Sequence, residues 1–420
     1  MATKQEHLVL GGGVIGVTTA YFLARAGCQV TLVERQPGVG LETSFANGSL
    51  LTPSMADPWA APGLPLKLLK WLGRENAPFL VRPAALPGLM SWGLQFLRNC
   101  NEATWRRNTE IILRIARYSH EVLQALAAET GITFDRQSLG TLRLFRDPRV
   151  LEAAVRNAKI VGDLDVPYSA LTPEACAALE PALTPRHDSI AGGLHFPEDE
   201  SGDAHIFTQE LARRCRELGV VFRFGETVQA IETEASRVVG VETDRGRLTA
   251  ERYVLALGSA SPALARPLGI RLPIYPVKGY SMTLSIEGWN GAPRMPILDD
   301  DRKMGIVRLG DRLRLAGTAE FTGHDRSPNP RRCAILVEHL EALFPGAPHL
   351  ERAEPWCGLR PMTPDGIPIL GATGYENLWL NVGHGHLGWT MACGSAKAVA
   401  ALATDEKPEL DLGGMTLARA

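Results

Sequence analysis

His7-Leu8-Val9-Leu10-Gly11-Gly12-Gly13-Val14-Ile15-Gly16 is the stretch that decides the fold. A short apolar run leads into three consecutive glycines, an amphipathic stretch continues to Ala26, and Gln29-Val30-Thr31-Leu32-Val33 then ends in Glu34. This is strand, glycine turn, helix and strand in one βαβ unit, with an acidic residue about 20 positions after the glycines: a complete dinucleotide-binding fingerprint. Gly11 makes the tight turn, Gly13 lets the backbone approach a pyrophosphate, and Gly16 lets helix and strand pack closely. The helix start at Val14 and Ile15 offers free N–H groups and the positive end of its dipole to the phosphates. Glu34, with Arg35 beside it, is placed to bind ribose hydroxyls, which disfavours a 2′-phosphate and therefore NADP. The fingerprint by itself does not separate NAD from FAD.

The run Leu8 to Ala24 is apolar enough to suggest a signal or a membrane anchor. Four glycines interrupt it, and it is shorter than the roughly 20 residues a span requires. The rest of the composition is that of a globular chain. Its 420 residues, 45% hydrophobic and 21% charged, suit two or three domains and exclude a mostly disordered protein. A net charge of −2 gives no reason to expect nucleic acid as partner. Seven scattered cysteines (Cys28, Cys100, Cys176, Cys215, Cys333, Cys357 and Cys393) contain no CxxC pair, which argues against a zinc site or a disulfide framework and for a reducing, cytoplasmic compartment.

Two further glycine-rich stretches narrow the cofactor. Gly40 to Leu51 is small and polar and falls where a second phosphate-cradling loop belongs; Thr43, Ser44 and Asn47 supply hydrogen-bonding side chains, and Gly48 and Ser49 complete the loop. Near the C-terminus, Leu378 to Val382 reads as a buried strand, Gly383-His384-Gly385-His386-Leu387-Gly388 as a loop, and Trp389 to Ala403 as an Ala-rich helix. No acidic strand follows, so a second dinucleotide site is not expected. A helix N-terminus at Gly388, Trp389 and Thr390, with His386 and Leu387 leading into it, suits the pyrimidine edge of a flavin, where negative charge develops on reduction, and these five residues join the cofactor set. His384 and His386 have no third ligand type nearby and read as loop histidines; no metal is expected.

With these residues in place, the chain resembles the small-subunit type of bacterial D-amino acid dehydrogenases, within the D-amino acid oxidase and glycine oxidase superfamily of FAD enzymes. The resemblance runs through the glycine fingerprint, Glu42 to Asn47, Ala60 to Lys67, Gly140-Thr141-Leu142, Gly202-Asp203, Pro276 to Ser281, Gly358 to Gly366 and Gly383 to Gly394. It implies an α/β plus α+β architecture. A Rossmann-like FAD-binding domain, interrupted in sequence, spans 1–56, 200–270 and 352–420; a mostly antiparallel β-sheet substrate domain flanked by helices spans 57–199 and 271–351. His205–Leu218 reads as a helix and Val220–Phe224, Val228–Glu232 and Tyr253–Leu257 as strands that complete the first domain. The resemblance adds Val228, Gly258 and Gly358 to the cofactor set.

Oxidising an amino acid at Cα requires its carboxylate held, its amine neutral and its Cα–H aimed at flavin N5. Arg360, in Leu359-Arg360-Pro361-Met362-Thr363-Pro364-Asp365, offers a planar bidentate match to a carboxylate, and relatives place an arginine there for that purpose. A structural pairing with Asp365 is the alternative. Tyr280 is expected to hydrogen-bond the carboxylate, line the pocket or simply pack, and Lys278 to lie near the flavin. No general base is required if the amine arrives neutral. Cys357 does not fall on the position by which some relatives hold FAD covalently, so non-covalent FAD is expected. The implied reaction is oxidative deamination of a D-amino acid to a 2-oxo acid and ammonia. Alternatives are D-proline or D-hydroxyproline oxidation, an oxygen-using oxidase, and a flavin subunit that needs partner chains.

Residues 67–117 hold nine Lys/Arg (Lys67, Lys70, Arg74, Arg82, Arg98, Arg106, Arg107, Arg114 and Arg117) against three glutamates, beside an uncharged run from Pro83 to Leu97, and four of the eight tryptophans fall between Trp59 and Trp105. The segment 57–117 therefore suits either a lid or a peripheral contact with the cytoplasmic face of an anionic membrane, where a quinone is the electron acceptor. The sequence assigns no oligomeric state.

Overall fold

The opening βαβ unit forms as read, with β1 (Glu6–Leu10), α1 (Val14–Arg25) and β2 (Gln29–Glu34) in succession. The computed structural model describes residues 5–71 and 73–419. β1 is apolar because it is flanked on both edges and covered on both faces, as parallel strands generally are. It pairs in parallel with β2 and with the strand Arg252–Leu255. The sheet runs Ile369–Ala372, Leu378–Val382, Arg252–Leu255, β1, β2 and Val221–Phe224, and its Ile369–Ala372 edge is antiparallel. The expected helix and strands of the second βα stretch appear as Ala204–Glu217, Val221–Phe224, Val228–Glu234 and Arg252–Leu255.

A second, nine-stranded and mostly antiparallel sheet stands beside it. Three of its strands matter most here: β3 (Tyr275–Ser285) lies between β4 (Arg312–Phe321) and β5 (Glu354–Met362). One face of this trio packs under the helix Pro330–Leu343, burying Tyr280, Met282, Leu313, Leu315, Leu336 and Leu340 in one core. The opposite face looks toward the β1 sheet.

The tryptophan-rich segment folds as α2 (Leu64–Trp71), the strand Phe79–Val81 beside β4, and α3 (Leu86–Asn99). Trp92 and Phe96 turn inward against Tyr275 and Phe321, and the Trp92 indole donates to the Met362 carbonyl. The outer face carries Leu86, Met90, Leu94 and Leu97, which are 51, 65, 56 and 46% exposed. Among the described residues no helix is long and apolar enough to cross a membrane.

Two elements cross the expected domain limits. β5 belongs by its hydrogen bonds to the nine-stranded sheet, although it lies within 352–420. α4 (Glu102–Thr130), inside 57–199, shares its core with α1 and with the C-terminal helix α5 (Gly388–Ala403). The contact is intimate: a Cβ on Gly394 would lie 2.8 Å from Ser119, whose hydroxyl accepts the Gly394 N–H.

Candidate active site

A cavity of about 760 Å³ lies between the two sheets, with Glu34 in its wall at one end and Arg360 at the other. Its first wall is backbone. Gly11 has φ +111°, and a Cβ there would lie 2.6 Å from the Ala256 carbonyl oxygen. A Cβ on Gly16 would come within 1.8 Å of the Gly11 oxygen, so nothing larger than glycine lets α1 approach β1 this closely. At Gly13 the same test meets only the Ser44 hydroxyl at 3.6 Å, which leaves room for a ligand. Glu34 accepts hydrogen bonds from the Gly12 and Gln36 amides at 2.7 and 2.8 Å, and burial pushes its carboxyl above the usual range.

Helices α1 and α5 both begin at this cavity, and neither is capped by the side chain of its own N-cap residue, although the Ser44 hydroxyl takes the Val14 amide at the start of α1. α3 and the short helix Ser261–Ala265 also lack one, whereas α4 and the helices Pro148–Gly162, Pro173–Leu179, Ala204–Glu217 and Pro330–Leu343 each start with a capping side chain. Uncapped helix starts leave amide donors and positive dipole ends for a ligand. An open cradle at Gly13, a carboxylate beyond it and a second uncapped helix at the far end fit a ligand with phosphates in the middle and an electron-accepting ring at one end, as in FAD.

The 40–51 loop lines the cavity as expected, but its side chains are engaged within the protein. The Thr43 hydroxyl donates to the Leu359 carbonyl, the Ser44 hydroxyl accepts the Val14 amide, and the Asn47 side-chain oxygen accepts the Ser49 amide. The loop therefore offers the cavity mostly backbone, including Gly48 and the left-handed Ser49 (φ +56°). Arg35 is at the rim, doubly hydrogen-bonded to Glu42. Although burial opposes it, Arg35 and Arg326 together hold Glu42 down to about 2. Val14, Ile15, Val228, Gly258, Gly358, His386, Leu387, Gly388 and Trp389 all line the cavity, as the sequence leads one to expect. Thr390 does not: it is one residue further into α5, where its hydroxyl accepts the Thr52 amide.

The second wall is made by β3, β4 and β5. Val277 pairs with Arg360 and Gly279 with Gly358, so these residues share the cavity face. Gly279 leaves the space that the Arg360 guanidinium fills, because a Cβ there would lie 2.4–2.5 Å from its atoms. The guanidinium donates to the Thr318 carbonyl at 3.0 Å and sits 5.6 Å from the centre of the Trp59 ring. No ion pair to Arg360 occurs among the described residues; Asp365, the alternative partner, pairs with Arg419 at 3.3 Å. Enclosure without a counter-charge lowers Arg360 to about 10. His386 stacks on Trp59 with centroids 5.2 Å apart, and burial together with the nearby Arg360 lowers it to about 3. A cationic fork stands open beside neutral rings.

Strand alternation puts Lys278 and Tyr280 on the other face. The Tyr280 hydroxyl donates to Glu320, and its ring is packed under the helix Pro330–Leu343. Lys278 is absent from the cavity wall; its ammonium donates to Asp325 and to the Ser327 carbonyl. The pleat turns both side chains away from Arg360: Lys278 is off the cavity wall, contrary to its expected place near the flavin, whereas Tyr280 still lines the cavity while its ring packs into the core beneath the sheet. Sequence reading misses Trp59 and Thr318, whose positions depend on strand pairings and a loop crossing that no local pattern encodes.

Fold and site together define a flavin-dependent oxidoreductase with a buried arginine facing the cofactor cavity. The chain belongs to the FAD dependent oxidoreductase family, whose model matches residues 6–402. It is 50% identical over 404 residues to the D-amino acid dehydrogenase of Methylobacterium sp., with 96% of each chain covered. It is 49% identical over 413 residues to that of Paramagnetospirillum magneticum, with 98% of each covered. Among solved structures it is similar to L-proline dehydrogenase from P. horikoshii (TM-score 0.77, 20% identity, covering 100% of this chain and 98% of that one). Glycine oxidase from Bacillus cereus gives a TM-score of 0.76 at 23% identity, covering 99% of both. These two likenesses speak for the fold.

Proposed function

We propose that the chain is a D-amino acid dehydrogenase that oxidatively deaminates its substrate to a 2-oxo acid and ammonia. The observation that carries the assignment is the Arg360 guanidinium, which faces the cavity with one backbone acceptor and, among the described residues, no carboxylate partner. Such a group calls for an anionic ligand, and its planar fork fits a carboxylate. When bound, FAD supplies the acceptor for hydride leaving the substrate Cα. Arg360 fixes the carboxylate and so decides which face of Cα is presented. Trp59 and His386 wall the substrate without adding charge, which favours a neutral amine, and its lone pair forms the imine as hydride departs. Water then hydrolyses the imine.

The electrons are assigned to a quinone-type acceptor at a membrane surface. Support comes from α3, whose exposed Leu86, Met90, Leu94 and Leu97 form one stripe, and from exposed Leu66, Lys67 and Lys70 on neighbouring α2. Lys67 and Trp71 of α2 also line the cavity, so the apolar stripe and the cavity mouth belong to the same excursion of the chain. Apolar stripe and basic flank suit the cytoplasmic face of an anionic bilayer.

The test is anaerobic titration of the FAD-loaded protein with matched D- and L-amino acids, both prolines included, followed by flavin absorbance. Bleaching by D-amino acids alone supports the assignment, and the fastest of them names the side-chain class. Bleaching by neither enantiomer contradicts it.

A further inference from the structure

β4 changes partners in the middle of the site. Lys278 pairs with Glu320 but Tyr280 with Gly317, so Gly279 of β3 faces two residues of β4, Thr318 and Ala319. This is a β-bulge. Up to Gly317, β4 is also paired with Met304–Leu309; from Ala319 it is paired with Phe79–Val81. The residue at the switch, Thr318, has φ +56°, the left-handed region that a β-branched side chain avoids. Its hydroxyl is buried with no hydrogen-bond partner among the described residues, and the residue is 8% exposed. Two costs therefore coincide at one residue where glycine would carry neither. Strain of this kind persists where the surroundings enforce it, and it concentrates at functional sites.

What the bulge accomplishes is visible in its carbonyl. In a regular strand a carbonyl points along the sheet to the next strand; at Thr318 it is turned out to accept from Arg360. We infer that Thr318 is a positioning residue. The left-handed bulge, imposed by the strands that pair on either side of it, aims its carbonyl at one arm of the Arg360 guanidinium, and the branched side chain leaves that peptide fewer alternative conformations than glycine would. The remaining guanidinium N–H groups are thereby held toward the cavity, between the Gly279 gap on one side and the Trp59 ring on the other. Rigidity comes from χ1 branching rather than from the hydroxyl. The inference rests on the reading of Arg360 as the carboxylate anchor.

The test compares Thr318→Gly and Thr318→Val in the FAD-loaded enzyme, using acetate as an unreactive carboxylate probe read by perturbation of the flavin spectrum, alongside KM for D-alanine, the limiting rate of flavin reduction and the melting temperature. Thr318→Gly is expected to raise the melting temperature yet weaken acetate binding and raise KM about tenfold, with the limiting rate changed less. Thr318→Val, which keeps the branch and loses the hydroxyl, is expected to bind acetate within about twofold of the parent. Parental acetate affinity in Thr318→Gly overturns the inference. Equal weakening in both variants also overturns it, because the hydroxyl then contacts the ligand directly. If the parent enzyme neither binds acetate nor is reduced by D-alanine, the D-amino acid assignment fails instead.

Discussion

The two walls of the cavity are built by opposite means. On the cofactor side, Gly11, Gly13, Gly16 and Glu34 lie within 24 consecutive residues, and their work is done by backbone and by the absence of side chains. On the substrate side, Trp59, Gly279, Thr318 and Arg360 come from four separate stretches and meet only through the register of β3, β4 and β5. The first wall is a local motif that survives as long as its glycines do. The second is a long-range construction in which a shift of one residue would turn Arg360 to the far face of the sheet.

The comparison predicts different failures for the two walls. Gly16→Val has the largest effect: its side chain must occupy space 1.8 Å from the Gly11 oxygen, so the protein is expected to lose FAD and all activity, measured as flavin content after purification. Gly279→Ala strikes the other wall. The atoms nearest the added methyl are the terminal guanidinium atoms of Arg360, so FAD content and melting temperature are expected to hold while KM for a D-amino acid rises roughly 10–100-fold. A loss of FAD in this variant would break the distinction between the walls.

Smaller effects sharpen it. His386 at about 3 stays neutral and Arg360 at about 10 stays charged through the neutral range. Acetate affinity is thus expected to vary less than about twofold between pH 6 and 9 and to fall above about 10, where Arg360 loses its proton. A step between pH 6 and 7 would mean that a histidine titrates in the site. Smallest is Tyr280→Phe, which removes a hydroxyl that serves Glu320 under the sheet; kcat/KM should change less than about threefold while stability falls by about 1–3 kcal/mol.

This division also explains what can be read from the chain alone. The βαβ unit, the helix start of α5 and the cofactor glycines follow from period and spacing within short windows, and all of them form. Arg360 is legible through its motif. Lys278 is misplaced, and Tyr280 is left between lining and packing, by sequence alone because Val277-Lys278-Gly279-Tyr280 alternates across a sheet, and only the pairing with β4 and β5 tells which residues face the cofactor. Thr318 carries no local signal, since a left-handed threonine is the result of strands changing partners around it. β5 and α4 cross the expected domain limits for a related reason: each packs against a unit remote from its sequence neighbours.

The central claim is that Arg360 binds the substrate through its carboxylate. It is tested most directly by stopped-flow reduction of the flavin with D-alanine and with D-alaninamide, in the parent enzyme and in Arg360→Met. The parent is expected to prefer D-alanine by about 100-fold or more, and the variant to lose nearly all of that preference while retaining FAD. An Arg360→Met enzyme that still prefers D-alanine by the parental factor would contradict the account.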